Sequence, residues 1–338
     1  VTTTSTPKDF TGAVIVVGLL TYRRPDRLSR MLPQVVDQAA QVAEWSGGAC
    51  SVLVVDNDPA ASAQDLVQAL AKTAPVPLRY VCEPAPGIAA ARRRVMAEVA
   101  GADFLQFIDD DEEPASDWLA LMLSTWHEHA RPAAVAGSIR PRYLAPPEEF
   151  VLAGEFFERA QFPTGTPVRA APTSNLLLDL RQVRDVGVEF DTRLGMRGGE
   201  DTLFTRQLTR AGRRIVFCQE AVVYDLVPAE RSNREWALNR ARHHGSGQGH
   251  LALLQGGTGL RRLGTRARLA GGGAARMARS GAQAVIGRLT GNHSLEAKGL
   301  HRLQRAVGIF NEAFGGTEAE YARPTKSESG ASAPPDQG

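Results

Sequence analysis

The sequence predicts an α/β fold with a mainly parallel central sheet and a helical C-terminal extension. Three observations carry this expectation. Over the first 110 residues short apolar runs alternate with helix-like patterns, as in successive β-α-β units. The runs are rich in Val, Ile, Leu and Phe, as strands buried on both faces are. Each run ends in a polar cluster.

Taken in order, residues 13–20, 51–56, 78–82 and 104–108 read as strands, and 24–45, 62–74, 88–100 and 116–129 as the helices between them. The strands run into TYRRPDR, DNDP, EPAPG and DDDEEP. Ligands of open α/β sheets bind beyond the carboxyl ends of the strands, so these four clusters are expected on one rim. Trp118 and Trp126, eight apart on one helical pattern, read as core residues. After residue 130 the pattern changes to isolated strands at 134–138, 175–179, 214–217 and 221–224, separated by Pro-containing loops. They read as the second half of the same sheet. From residue 232 the chain is rich in Arg, Gly and Ala, with helices expected around 235–243 and 295–314 and an interruption at Gly271, Gly272 and Gly273.

With 338 residues, 43% of them apolar and 22% charged, the composition excludes a collagen, a long disordered chain and a disulfide scaffold. The longest apolar run, 13–20, is far short of the ~20 residues a membrane-spanning helix needs. The opening VTTTSTPKDF lacks the zones of a signal peptide, and a cytoplasmic protein is expected. Cys50, Cys82 and Cys218 are odd in number and widely spaced, which reads as inert thiols rather than a disulfide or zinc framework. Charge is uneven: between 232 and 314 thirteen Arg and Lys face three Glu, a surplus of ten, so with +2 overall the remainder carries −8. An anionic partner near the C-terminal third, phosphate-bearing or a membrane surface, would explain this, as would a merely solvated basic face.

Two acidic strings carry the chemistry. In FIDDDEEP (107–114) five carboxylates follow an apolar strand. Crowding like charges costs free energy that a hard divalent cation offsets; equally, acids suit the start of the next helix. In MRGGEDTLF (196–204) a glycine pair delivers Glu200 and Asp201 to a helix start. A carboxylate there can take a proton from an attacking alcohol, or can simply cap the helix. The helix dipole keeps such an acid ionised but weakens it as a base, which burial would have to offset.

Together these strings, with VIVVGLLTYRRPDRL, VLVVDND, EPAPGIAAARRRV, TSNLLLDLR and VVYDLVPAER in the same order, resemble the inverting family 2 glycosyltransferases of GT-A fold over residues 13 to about 250. The resemblance implies a nucleotide-sugar-binding half at 13–130 and an acceptor half at 131–231. A basic helical region (232–322) follows, with a flexible start (1–12) and a disordered tail (323–338) at the ends. It places Thr21, Arg23 and Asp56 around the nucleotide, and Gly87 and Arg92 near base and diphosphate. The D-x-D motif falls on Asp109, Asp110 and Asp111, with Asp109 at the ribose and Asp111 on an Mg²⁺ or Mn²⁺ ion. The ED pair falls on Glu200 and Asp201, with Asp201 the general base and Asn175 near sugar or acceptor.

Two positions depart from the family pattern. Asp225 stands where a metal-binding His is usual, and is expected either to ligate the cation through oxygen or to leave the site one ligand short; Arg93 stands where an amide is usual. The expected reaction is metal-dependent inverting transfer from a nucleoside-diphosphate sugar, a UDP-sugar first, to a hydroxyl on a lipid-linked glycan or a natural product. Contact with an anionic membrane through 260–305 is expected, and no nucleic-acid partner. A nucleotide-sugar-binding module without activity fits the change at Asp225. A sugar nucleotidyltransferase would want a glycine-rich loop where TYRRPDR stands. HHGSGQGH (243–250) reads as a flexible or phosphate-contacting loop rather than a metal site. The elbow, P-loop and dinucleotide glycine motifs are absent.

Overall fold

The computed structural model describes residues 10–194 and 198–315. Most of the expected flexible start, the expected tail, and Met196 and Arg197 of the second acidic string lie outside the described residues. Phe10, placed in the flexible start by the sequence reading, is fully buried against the rings of Trp45, Phe104 and Trp126.

The first half alternates as expected: β1 (Val14–Thr21), α1 (Pro25–Ser46), β2 (Ala49–Asp56), α2 (Gln64–Ala71), β3 (Leu78–Cys82), α3 (Ile88–Glu98) and β4 (Phe104–Asp109). A short β5 (Glu112–Pro114) precedes α4 (Trp118–Glu128) and the long β6 (Ala134–Tyr143). Then come α5 (Glu149–Gly154), β7 (Pro167–Val168), β8 (Asn175–Asp179), α6 (Leu180–Val186), α7 (Glu200–Arg210) and β9 (Ile215–Val227). Three helices close the chain: α8 (Arg234–Gln255), α9 (Gly259–Leu289) and α10 (His293–Ala313).

One nine-stranded sheet runs β3-β2-β1-β4-β8-β6-β9-β5, with β7 on β9. Its β3-β2-β1-β4 half is parallel, and β8 joins antiparallel to both β4 and β6. Alternation along β1 divides the core between two faces. Ile15, Val17 and Leu19 pack with Leu28 and Leu32 of α1 and with Trp118, Met122 and Trp126 of α4. Val16 and Leu20 pack with Val95 of α3 and Phe204 of α7. Gly18 lets α3 close on the sheet, because a Cβ there would meet Val95 at 2.8 Å and Leu105 at 2.9 Å.

Three expectations are corrected. The strands expected at 214–217 and 221–224 are one strand, β9, which pairs with β6 on both sides of a bulge. Gly137 pairs with Cys218 and Ser138 with Val222, and the Asn175 amide donates into the gap, to the carbonyls of Ser138 and Ala221. The string 243–250 is helix, not loop. Gly245 and Gly249 lie where α8 crosses α10, and a Cβ on Gly245 would fall 2.0 Å from the Arg305 carbonyl. Likewise α9 runs unbroken through Gly271, Gly272 and Gly273. Close approach of Gly273 to Phe310 of α10 offsets the cost of about 1 kcal/mol per helical glycine.

Candidate active site

The parallel strands deliver their polar ends to one cleft. Thr21 closes β1, and its hydroxyl donates to Asp110 at 2.8 Å. Arg24, one turn into the same loop, donates to Asp110 at 3.1 Å and to Asp111 at 3.2 Å. Asp111 also accepts from Arg27 at 3.5 Å and from Arg231 at 3.0 Å. Arg24, Arg27 and Arg231 were not singled out from the sequence. The first two stand in the TYRRPDR cluster and the third in VPAER, so their signal was present.

Pairing of β5 with β9 sets Glu112 opposite Asp225, and the Leu226 amide donates to the Asp111 carbonyl at 3.0 Å. Five carboxyls, those of Asp109, Asp110, Asp111, Glu112 and Asp225, therefore crowd this end of the cleft. Burial pushes Asp109 up to about 7, helped by Asp111, Asp110 and Asp201 and opposed by Arg92. Burial also raises Asp110, against the pull of Arg24. Glu112 is raised well above the ordinary range by burial and by Asp109, Asp111 and Asp225. Asp225 is raised by burial and then by Asp111. Among the described residues no group of three His, Cys, Asp or Glu forms a ready-made metal cage.

The second acidic string arrives from the other side. Gly198 and Gly199 take left-handed backbone, φ 74° and 87°, which turns the chain into α7. The two acids then part. Glu200 is buried and accepts from the Arg92 guanidinium, which lies 3.8 Å from Asp109. Asp201 is half-buried and lines the cleft.

The cleft has two connected parts. One, of about 570 Å³, is lined by Thr21, Gly87, Asp109, Asp110, Asp111 and Asp225. The other, of about 670 Å³, is lined by Arg92, Asp109, Glu200 and Asp201. Asp109 belongs to both.

Three residues expected at the ligand lie elsewhere. Asn175 is buried, accepts from Trp118 Nε1 at 2.8 Å and donates to two carbonyls, so its amide joins β6, β8 and β9 instead of facing the cleft. Asp56 is fully buried and accepts from the amides of Asp58 and Ala63 and from the Tyr80 hydroxyl. Its carboxylate shapes the loop beneath the cleft. Arg23 points outward and pairs with Asp58 at 3.2 Å. The cysteines agree with the sequence reading: Cys50 and Cys218 are buried, and burial raises all three thiols, Cys50 to about 12.

Residues 16–173 match the Glycosyl transferase family 2 model. The chain is 33% identical over 247 residues to the succinoglycan biosynthesis protein ExoM of Rhizobium meliloti, covering 73% of this chain and 77% of that protein. It is 26% identical over 172 residues to the glucosyl-dolichyl phosphate glucuronosyltransferase of Haloferax volcanii, covering 47% of this chain and 54% of that one. Among solved structures, the mannosyltransferase PcManGT of Pyrobaculum calidifontis, in complex with GDP-Man and Mn²⁺, aligns with a TM-score of 0.56 at 19% identity, over 87% of this chain and 86% of that one. That likeness fixes the fold as GT-A. With the family match and a relative aligned over most of both chains, this protein belongs to glycosyl transferase family 2 and is a glycosyltransferase that draws its sugar from a nucleotide-sugar.

Proposed function

We propose that the enzyme is an inverting transferase that moves a sugar from a nucleoside-diphosphate donor to a hydroxyl of a lipid-linked acceptor, with Asp201 as the general base. The observation that carries this reading is the shared position of Asp109: the acidic end of β4 and the open carboxylate of α7 face one continuous cleft from opposite parts. A donor lying along β4 would present its anomeric carbon toward Asp201. The acceptor oxygen then enters from the face opposite the leaving diphosphate and loses its proton to the Asp201 carboxylate. Arg92, held by Glu200, and Arg24 and Arg231, beside Asp111, supply positive charge where the departing diphosphate gains negative charge.

The donor set of the acidic end fits a hard divalent cation. Its carboxyls are crowded, oxygen-only and pushed up by burial and by one another, which is the arrangement a cation relieves. Asp111 and Asp225 would hold Mg²⁺ or Mn²⁺, with Asp225 in the place of the family's usual His. Bound there, the ion would neutralise charge on the diphosphate. Arg24, Arg27 and Arg231 would turn from Asp111 toward the phosphates. Thr21 and Gly87 line the donor part, and Asp109 and Asp110 close it at β4. Asp56 is fully buried and already accepts three hydrogen bonds, so UDP- and GDP-sugars belong in the same donor panel.

The outer face of α9 supports a lipid-bound acceptor. Leu260, Leu263, Val285 and Leu289 are exposed and fall within an arc of about 80° on the helical wheel. Arg288 flanks this stripe on one edge and Arg261, Arg268 and Arg279 on the other. The buried Gly273, Ser280, Ala284 and Gly287 lie on the opposite face, against α10. An apolar stripe with basic edges suits the surface of an anionic membrane, and we place the protein there, at the cytoplasmic side. No helix among the described residues is long and apolar enough to cross a membrane.

The deciding experiment measures nucleotide release across UDP- and GDP-sugars, with and without Mn²⁺, using a prenyl-linked glycan as acceptor, and assigns the product anomer by NMR. Release with inversion supports the proposal. A retained anomeric configuration overturns the single displacement, and tight nucleotide binding with no turnover on any donor favours a binding module.

A further inference from the structure

The wall common to both parts of the cleft carries a group that the donor chemistry above leaves unused. Arg159, Arg240, His244 and Arg305 line both parts. They come from the segment after α5, from α8 and from α10, and all but Arg159 lie outside the stretch matched by the family. Their convergence is registered by one imidazole: His244 is pushed down to about 3, first by burial and then by Arg240, Arg159, Arg305 and His301. Guanidiniums close enough to act together on one ring also repel one another, and a bound anion lowers that cost. Acids line the same cleft. Asp109 borders both parts, Glu200 and Asp201 border one, and the carboxyls of the proposed cation end border the other. Among these is Asp225, which burial raises against the pull of Arg231, Arg159 and Arg240. Arg305 is exposed at the mouth, where it donates to the neutral Gln248 at 3.2 Å.

The position selects the anion. Charge for the donor diphosphate is already gathered at Asp111, in Arg24, Arg27 and Arg231. The second group extends past the donor part to border the part that holds Asp201, the side from which an acceptor must enter if the sugar inverts. Resting on the transferase reading above, we infer that Arg159, Arg240 and Arg305 form a subsite for the phosphate or diphosphate that joins the acceptor sugar to its lipid. Guanidiniums suit this task because each can donate two parallel hydrogen bonds to phosphate oxygens. The appended helices then select the acceptor, while the strand ends of the sheet hold the donor.

Calorimetry with farnesyl diphosphate and with UDP tests the subsite. With UDP and Mn²⁺ saturating, farnesyl diphosphate binds the wild-type protein. Arg240→Gln and Arg305→Gln each weaken it about tenfold or more, as loss of a charge-assisted contact should, while UDP affinity stays within about twofold. Arg305→Lys, which keeps the charge on an exposed side chain, restores part of the affinity. In the wild-type protein the His244 imidazole, followed by NMR, rises in pKa when farnesyl diphosphate binds. Competition between the two probes, equal losses for both in the variants, or unchanged farnesyl diphosphate binding in the variants overturns the inference. Should UDP not bind at all, the donor reading fails instead, and farnesyl diphosphate titrated alone still decides the subsite.

Discussion

Arg92 of α3 and Glu200 of α7 form a buried ion pair in the wall of the cleft, and this pair separates two adjacent carboxylates into different tasks. Glu200 faces inward to the guanidinium, while Asp201, one residue on, lines the open cleft. Removing one partner of such a pair leaves a buried charge uncompensated. Glu200→Ala should therefore cost about 3–5 kcal/mol of stability, and Glu200→Gln less, because the amide still accepts a hydrogen bond from Arg92. Urea denaturation reads both, and a wild-type midpoint for Glu200→Ala would show that the pair holds nothing together.

Asp201 should behave differently. Asp201→Asn keeps the side-chain volume at a half-exposed position and removes only the basic oxygen. Its folding stability and donor affinity should stay near wild type, while kcat falls by about 10²–10⁴, the usual worth of a general base. Turnover at the wild-type rate would remove Asp201 from the mechanism.

The acidic end predicts a pH dependence with a definite sign. Asp109 is raised to about 7, and Asp110, Glu112 and Asp225 are raised as well. A carboxyl whose pKa is higher in the folded than in the unfolded chain binds its proton more tightly when folded. Its contribution to stability is lost as pH climbs from the unfolded value, about 4, through the folded one. In EDTA the Tm should fall over pH 5 to 8 on this account. A divalent cation competes with those protons, so the Tm increment from Mn²⁺ should grow over the same range. An increment equal at pH 5.5 and pH 8 would contradict the coupling.

Helix contact, rather than helix propensity, should govern the C-terminal glycines. A Cβ on Gly308 would lie 2.1 Å from the Arg242 carbonyl, whereas Gly271 of α9 has open space around it. Gly308→Ala should destabilise by about 1–3 kcal/mol through overpacking. Gly271→Ala should be neutral or stabilise by up to about 1 kcal/mol. Thermal denaturation of the two variants distinguishes them, and equal shifts would mean that α8 and α10 do not cross as closely as described.

The stripe on α9 predicts salt-sensitive membrane binding. Co-sedimentation with vesicles containing anionic lipid should fall steeply between about 0.1 and 0.5 M salt, as screened surface charge requires. Replacing both Leu260 and Leu263 by Ser should weaken it further. Equal binding to neutral vesicles would remove the basic edges from the account.

The parallel half of the sheet could be read from the chain alone, because strands buried on both faces must be continuous apolar runs and their polar ends must meet at one rim. The acidic turn after β4 and the acid pair at α7 were equally legible, since both stand directly at element ends. Other features depended on partners distant in sequence. Gly245 and Gly249 look like loop residues until α10 is laid against α8. Asn175 looks like a ligand residue until the bulge between β6 and β9 supplies the carbonyls it donates to. Asp56 and Glu200 are acids in functional strings whose burial, against Tyr80 and Arg92, turns them to structural use. Local pattern reports which residues will be apolar or polar at an element's end, for that follows from period and composition. Which polar group remains open to a ligand follows only from packing, because a buried donor or acceptor takes the first partner that the tertiary structure brings within reach.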